Sequence, residues 1–571
     1  MSSSIIKLNT KNCQSCYKCI RECPVKAIEF KDNKAQVIPG ECVLCGRCVE
    51  CCPQNARILR DDLSQVRQLV GGDKPVYLSL APSWVSWFRG KSFSAVSAAL
   101  KRLGFCGVEE TAIGAAECSR SYGELMRQGQ MKNIIATACP SAVMLVERHY
   151  PELIKLLAPV SSPMMAHAKL MRESYGDIKV VFAGPCLSKM EESDDPLAGG
   201  MVNFALTFEA LGRWLEEEGI ELGEEDPEAV GVKSPVARLY PKPTGILKTM
   251  APEDTAGYTP IAVDGPEKCI ALLDSIRDEQ PEGLFIEMNL CPGGCMGGPL
   301  LRMHHRNATL CEALLTERDQ AQDRHVAGSA EMQSTYPRVF QNRAPQYEEI
   351  SEEDIRRVLE SIGKFGPEDE LNCSSCGYPT CRDKAIAVLR GKADVSMCMP
   401  YLRQRAENIS SMVIEHSPNA IIAFDEEMNV IELNPRAEEI YGVKRADVLG
   451  TFMAAFYGED GFEQARESER PIEKKVYLDE LGRSVEKSIV YIKEHRMYLA
   501  FVKDISEQQH QAQKLEEMRH HTVETAQKVI DKQMRVAQEI ASLLGETTAE
   551  TKVALTNLKR SMTEAQSEES R

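Results

Sequence analysis

"IIATACPSAVMLV", residues 134–146, changes character in the middle. Its first residues are apolar and uncharged, as a buried strand requires, and from Pro140 onward the pattern suits a helix. Between the two sits one thiol, Cys139. A strand that delivers a side chain at its carboxyl end and then turns into a helix is the repeating unit of an open α/β sheet. Such sheets carry their functional groups at those ends. "IKVVFAG" runs in the same way into "PCLSKMEE", which brings Cys186 with Lys189 and Glu192 downstream. "EMNLCPGGCMGGP" supplies Cys291 and Cys295 among glycines that let backbone approach a bulky group. Residues 75–345 therefore read as one α/β block, with strands such as "VYLSL" alternating with helices such as "SAVSAALKRLGF" and "LTFEALGRWLEEEG". Four cysteines from three separated segments could close one cubane, which makes Cys139 a candidate ligand. Cys106, Cys118, Cys269 and Cys311 lack such settings and read as packing thiols.

The chain is 571 residues long and has room for several domains. Acidic residues outnumber basic ones, 85 to 68, for a net charge of −17, which disfavours a nucleic-acid or anionic-membrane footprint. No charged leader with an apolar core opens the chain and no long apolar run follows, so a soluble, cytoplasmic protein is expected. Of 21 cysteines, none lies beyond Cys398. Clustered thiols in a large chain of this kind point to metal rather than to disulfides.

Residues 1–60 repeat one pattern twice, in "CQSCYKCIRECP" and "CVLCGRCVECCP". Cys-x2-Cys-x2-Cys-x3-Cys-Pro is the bacterial ferredoxin spacing for two [4Fe–4S] clusters. Three close thiols wrap one cluster and the fourth reaches the other. The expected sets are Cys13, Cys16, Cys19 with Cys52, and Cys42, Cys45, Cys48 with Cys23. Cys51 is left over and reads as a packed thiol. Residues 366–402 offer four more thiols, Cys373, Cys376, Cys381 and Cys398, which suit one further [4Fe–4S] cluster, with a structural zinc ion as the competing occupant. Residues between 303 and 370 read as helices and connecting loops. From 408 to 506, strand-like runs surround a short helix capped by Asn434 with Pro435 at its first position, an α+β pattern. Residues 508–571 read as helical, with Leu515, Val529, Val536 and Leu543 at heptad spacing, Ala526 and Ile540 on the adjoining seam, and a stop at Gly545. A helical hairpin and a dimerising coiled coil both fit. His520 and His521 read as solvated helix residues.

The segments around Cys139, Cys186 and Cys291–Cys295 resemble the three signature loops of [FeFe]-hydrogenases, over roughly residues 75–310. The resemblance implies an H-cluster: a [4Fe–4S] cubane held by Cys139, Cys186, Cys291 and Cys295, with Cys295 bridging to a diiron centre that carries CO and CN ligands. Lys189 would pair with a cyanide, and Pro82 and Ser83 of the "APS" segment would line the diiron site. Lys189, Cys295 and Ser83 are the residues expected to carry the chemistry. The departures matter too. The family's first loop has a proton-relaying cysteine where this chain has Ala138, and alanine can neither donate nor accept a proton. Gly184 and Asn289 stand where methionines are usual, Met164 stands where a glutamine often sits, and the glycine run after Cys295 is short.

A retained metal scaffold with an altered surround resembles the sensory subgroup of the family. Its members add a four-cysteine motif and a PAS domain, and residues 408–506 resemble a PAS domain leading through "DISEQ" into a signalling helix. The implied architecture is multidomain α/β and α+β: a ferredoxin-like domain, an α/β H-cluster domain, a small Fe–S module, a PAS domain and a helical tail. The implied function is binding or slow turnover of H2, with redox state passed through the clusters to the PAS module. Implied partners are H2 and protons, a ferredoxin-like electron partner, hydrogenase maturation proteins and a separate downstream signalling protein, with homodimerisation through the PAS region and tail. The PAS segment holds no cysteine for a flavin adduct, and its ligand is unknown. Two other readings share the scaffold: an ordinary catalytic hydrogenase, and an Fe–S relay or redox sensor without diiron.

Overall fold

The computed structural model describes residues 4–560 apart from 227–228, 230–234, 251–254, 256, 321–337, 453–456, 459–460, 469, 480 and 545–551. The chain forms two compact units, one ending at Leu402 and one beginning at Arg403. The ferredoxin-like segment, the α/β block and the four-cysteine module thus share the first unit. A continuous core joins them, with Ile20 and Ile28, Leu78 and Leu206, and Tyr378 and Met397 as members.

The N-terminal repeat is visible in the backbone. Strands β1 (Ile6–Leu8) and β4 (Arg57–Leu59) pair antiparallel, and β2 (Ile28–Lys31) and β3 (Lys34–Val37) form a hairpin. Short helices Lys18–Glu22 and Arg47–Glu50 carry the third cysteine of each triplet. Left-handed conformations recur at matching positions: Ser15 and Leu44, Tyr17 and Gly46, Lys26 and Asn55. Backbone wound in this way turns successive N–H groups toward one point, the concavity that iron–sulfur sites use. After each Cys-Pro the next alanine closes the same bond, Ala27 N–H to Cys23 Sγ and Ala56 N–H to Cys52 Sγ, both 3.3 Å.

The α/β block contains two parallel sheets. Strands β5 (Val76–Leu80), β6 (Gly107–Glu110), β8 (Lys179–Gly184) and β9 (Phe204–Thr207) lie in the order β6-β5-β8-β9. Strands β7 (Asn133–Ile135), β10 (Thr259–Asp264) and β11 (Leu284–Asn289) lie in the order β10-β11-β7. The largely apolar β5 and β8, with the buried Ser79 hydroxyl bonded to Thr111 and His167, fit strands covered on both faces. Ser92 and Thr207 cap the helices Phe93–Arg102 and Phe208–Glu217 by accepting the Ala95 and Ala210 N–H groups. The expected strand through Ala138 ends as a regular strand at Ile135, although Ala136 still bonds to Ile286 O (2.9 Å). Leaving the sheet early frees the chain to deliver Cys139 at the N-cap of helix Pro140–His149.

Helix Ala308–Gln320 precedes the undescribed 321–337, and residues 338–350 then run without regular structure along the block. Arg343 pairs there with Asp195 (2.7 Å), and Tyr347 hydroxyl donates to Glu41 of the ferredoxin-like segment. The four-cysteine module packs helix Glu352–Ser361 against Cys381–Leu389, the latter opened by a Thr380–Asp383 capping box.

The second unit contains a five-stranded antiparallel sheet of β12 (Ala420–Phe424), β13 (Val430–Leu433), β14 (Ile472–Leu478), β15 (Arg483–Ile492) and β16 (Met497–Asp504), in the order β13-β12-β16-β15-β14. Asn434 caps helix Pro435–Tyr441 as expected, accepting from Ala437 N–H (3.0 Å), while its amide donates to Ile414 O and Asn419 O. Phe424, Phe462 and Tyr498 fill the core. Helix Ser506–Leu544 follows, and residues 552–560 are helical; the expected stop at Gly545 lies outside the described residues. No described helix is long and apolar enough to cross a membrane.

Candidate functional site

Cys139, Cys186, Cys291 and Cys295 line one cavity, together with Pro185, Asn289, Leu290 and Pro299. They arrive from the carboxyl ends of β7, β8 and β11, where the topology of parallel strands leaves room. Burial, then the neighbouring Cys186 sulfur, push the Cys139 and Cys295 thiols above their ordinary range, and Cys291 well above it. Such thiols stay protonated until a metal takes the proton's place. The glycines are spatial requirements. A Cβ on Gly294, whose φ is +65°, would meet Pro241 O at 2.3 Å, and one on Gly298 would meet Cys295 O at 3.1 Å. Four converging sulfurs on a glycine-padded floor suit an iron–sulfur group.

Lys189 Nζ donates to Glu192 Oε2 (2.7 Å) and to Ala138 O (3.5 Å). Glu192 is fully buried and also accepts from Ser162 Oγ (2.9 Å) and Arg338 (2.5 Å). Burial raises its carboxyl, but the Lys189 and Arg338 charges outweigh that and hold it below the ordinary range. Ser83 is buried, and among the described residues its hydroxyl has no partner, an orphaned polar atom in the segment expected to line a diiron group. Three residues further on, Ser86 hydroxyl donates to Met296 Sδ (3.7 Å), which ties that segment to the Cys295 loop. Gly184 is explained by packing: a Cβ there would lie 2.7 Å from the Phe182 ring and 3.2 Å from Ala81 Cβ, leaving no room for a methionine. Asn289 donates to Glu287 Oε1 (3.2 Å), and burial pushes that carboxyl up to about 7. Met164 is fully buried. Arg338 and Glu287 were not visible as site residues in the sequence; a carboxylate four residues before Cys291 was the one available signal.

In the N-terminal repeat, Cys42, Cys45 and Cys48 lie within electrostatic reach of Cys23, and burial pushes Cys42 and Cys45 up to about 12. Cys19 lies within reach of Cys13 and Cys16, and half-buried Cys51 within reach of both Cys19 and Cys52. Cys106 is exposed rather than packed, because it sits in the turn entering β6. Cys118, Cys269 and Cys311 are buried, as expected. Cys373, Cys376, Cys381 and Cys398 line a second cavity with the buried Lys384. Among the described residues no three Cys, His, Asp or Glu side chains converge as tightly as one metal ion requires.

The three sulfur cages adjoin in an order that the chain order hides. Lys26 and Tyr378 each lie in the fields of both Cys23 and Cys376, and Cys291 lies in the field of Cys45. The four-cysteine module docks on the ferredoxin-like segment through Phe30 N–H to Lys392 O (2.7 Å), Arg21 to Ser375 O (3.3 Å) and a Lys392–Glu41 ion pair. Gly377 is pressed onto Ile20 there.

Comparison with known proteins matches four segments to described families. Residues 5–53 match "4Fe-4S dicluster domain", 74–299 "Iron only hydrogenase large subunit, C-terminal domain", 369–400 "Putative Fe-S cluster" and 408–472 "PAS domain". A curated relative, cytosolic Fe-S cluster assembly factor NAR1 of Encephalitozoon cuniculi, is 26% identical over 207 residues, covering 32% of this chain and 56% of that protein. The chain thus spans little more than half the length of that relative. Among solved structures, a variant of [FeFe]-hydrogenase HydA1 from Chlamydomonas reinhardtii aligns at 19% identity and a TM-score of 0.36, covering 46% of this chain and 88% of that one. The PAS domain of an HTR-like protein from Haloarcula marismortui aligns at 21% identity and a TM-score of 0.16, covering 18% and 99%. The chain thus carries a segment similar to the iron-only hydrogenase large subunit, joined to segments that match a 4Fe-4S dicluster domain, a further Fe–S cluster module and a PAS domain.

Proposed function

We propose that the protein is a sensor of H2 or of the redox state that H2 sets. In this reading Cys139, Cys186, Cys291 and Cys295 hold an H-cluster, with Cys295 bridging to diiron and Lys189, Pro82 and Ser83 around it. The N-terminal sets hold two [4Fe–4S] clusters and Cys373, Cys376, Cys381 and Cys398 hold a third. The observation that carries the reading is a cavity lined by Cys139, Cys186, Cys291 and Cys295, with the Lys189 charge acting on Cys139 and Cys295 and its ammonium bonded to the carbonyl of Ala138, the first-loop neighbour of Cys139. A site with no titratable group there favours binding or slow turnover over fast proton delivery. Lys26 and Tyr378, each within reach of both Cys23 and Cys376, lie where the module docks on the ferredoxin-like segment, which supports transfer of redox state from that segment to the module that leads into the PAS unit. H2, a ferredoxin-like donor, maturation proteins and a separate output protein are the partners this requires.

The test is an infrared spectrum of the protein co-expressed with hydrogenase maturation factors. Carbonyl and cyanide stretches that shift under H2 support the reading. Their absence, with iron–sulfur absorption intact and a control hydrogenase matured in parallel, overturns it. The similarity to NAR1 favours a second reading, in which the cavity holds a cubane alone and the protein is a non-enzymatic iron–sulfur relay or assembly protein.

A further inference from the structure

The two halves of the N-terminal repeat agree in cysteine spacing, left-handed positions and the Ala N–H to Sγ bond, and then part at one residue. "CPVKAI" ends in Ile28, and its counterpart "CPQNAR" ends in Arg57. Ile28 is buried, as an apolar residue behind a sulfur cage should be. Arg57 is only 7% exposed, so a full positive charge occupies the equivalent place. One arm of its guanidinium donates to Cys19 Sγ (3.2 Å), and the other nitrogen, Nη1, is buried with no partner among the described residues. Among the described residues no carboxylate pairs with Arg57, and the charges that act on it most are the sulfurs of Cys19, Cys48 and Cys13. Such burial carries a large desolvation cost unless a strong anion faces the group. Protonated thiols are poor anions, whereas a [4Fe–4S] cluster with four thiolates carries excess negative charge.

We propose that Arg57 raises the potential of the cluster held by Cys13, Cys16, Cys19 and Cys52, through the hydrogen bond it gives Cys19 Sγ and through its charge; the cage at Cys23, Cys42, Cys45 and Cys48 has Ile28 in the matching place, and its Cys48 feels Arg57 through the field alone. The inference rests on the ligand sets given above, and it holds whether or not diiron is present. The step is the gain of one electron by the cluster from dithionite through mediators, with no proton required. The reduced cluster is one charge more negative, so a fixed adjacent cation favours it, and hydrogen bonding to ligand sulfur acts in the same direction. Arg57 is a positioning residue in this sense: it acts on the cluster through Cys19 and its field.

The experiment is a redox titration of the full-length, anaerobically reconstituted protein under argon, followed by electron paramagnetic resonance. Arg57→Ile, which makes the repeat symmetric, is expected to shift one N-terminal wave to lower potential by at least tenfold in the reduction equilibrium, about 59 mV for one electron. Arg57→Lys keeps the charge and is expected to recover most of that shift. Iron and sulfide content measured on each variant establishes that the clusters are present, so loss of the ligand-set reading is seen separately. If Arg57→Ile fails to load, Arg57→Gln provides the neutral variant of similar size. Unchanged waves in a loaded neutral variant, or equal shifts in the neutral and lysine variants, overturn the proposal.

Discussion

Two buried glutamates beside the thiol cavity should answer pH in opposite directions. Glu287 rises from its ordinary 4.5 to about 7 on folding, because burial outweighs its bonds to Leu247 N–H and Asn289. Between those values the folded chain binds more protons than the unfolded one, so stability falls as pH rises, and the loss is complete above about 7. The displacement corresponds to about 3 kcal/mol. Glu287→Gln is expected to flatten that fall. Glu192 is depressed, so its contribution is present above 4.5 and is lost as pH drops through the folded value. Glu192→Gln leaves the Lys189 and Arg338 charges buried without their shared counter-charge and should cost about 3–5 kcal/mol at neutral pH. Thermal unfolding of the full chain and both variants between about pH 4 and pH 8 checks both signs. An acid-side gain for Glu287→Gln, or no loss for Glu192→Gln, would contradict the assignments. The cysteines around these glutamates were legible in the sequence because ligand spacing is a local property. Arg338 was not, since its partner lies 146 residues away and nothing local distinguishes it from any other arginine. Arg57 was hidden in plain view, at a position that only the repeat, once superposed in the backbone, makes unusual.

The elements were read correctly where periodicity is strong: β5, β8 and the three long strands after Ile472 fall where apolar runs and alternation put them. What the sequence could not say is which elements touch. The linear order of motifs suggests a route from ferredoxin-like segment to hydrogenase domain to module, whereas the module packs directly on the ferredoxin-like segment. Gly377 decides that docking. Its φ is +96°, and an added Cβ would lie 2.9 Å from Ile20 Cγ2 and 3.2 Å from Arg21 N. Gly377→Ala therefore combines a conformational penalty with overpacking, and a loss of about 1–3 kcal/mol in the contact is expected. Limited proteolysis around residues 360–400 should then accelerate, while the rest of the hydrogenase domain keeps its native rate. Equal protection in the variant would mean that the contact is not what holds the module.

At the scale of the whole molecule, the open question is what covers the long helix after the PAS sheet. Leu515, Val529, Val536 and Ile540 are 41–54% exposed, so among the described residues this seam is left open to solvent. A heptad stripe left in water on a 39-residue helix is a cost that pairing with an identical stripe removes, and three to four heptads are enough for a two-stranded coil of modest strength. We therefore expect the protein to be a dimer through this helix. Light scattering on the full chain should give twice the monomer mass of 63.5 kDa. Val529→Asp combined with Val536→Asp puts facing like charges into the seam and should return the mass to that of the monomer, without changing iron content, since no expected cluster ligand lies beyond Cys398. A dimer that survives both substitutions would place the interface elsewhere and leave the helix free for a different protein. A signal carried by this helix requires a change in helix pairing that the PAS unit can bias, because an effector shifts an equilibrium only through unequal affinity for its two states. Hydrogen exchange along residues 506–544, compared between reduced and oxidised protein, should therefore differ in the wild type and lose that difference in the monomeric variant.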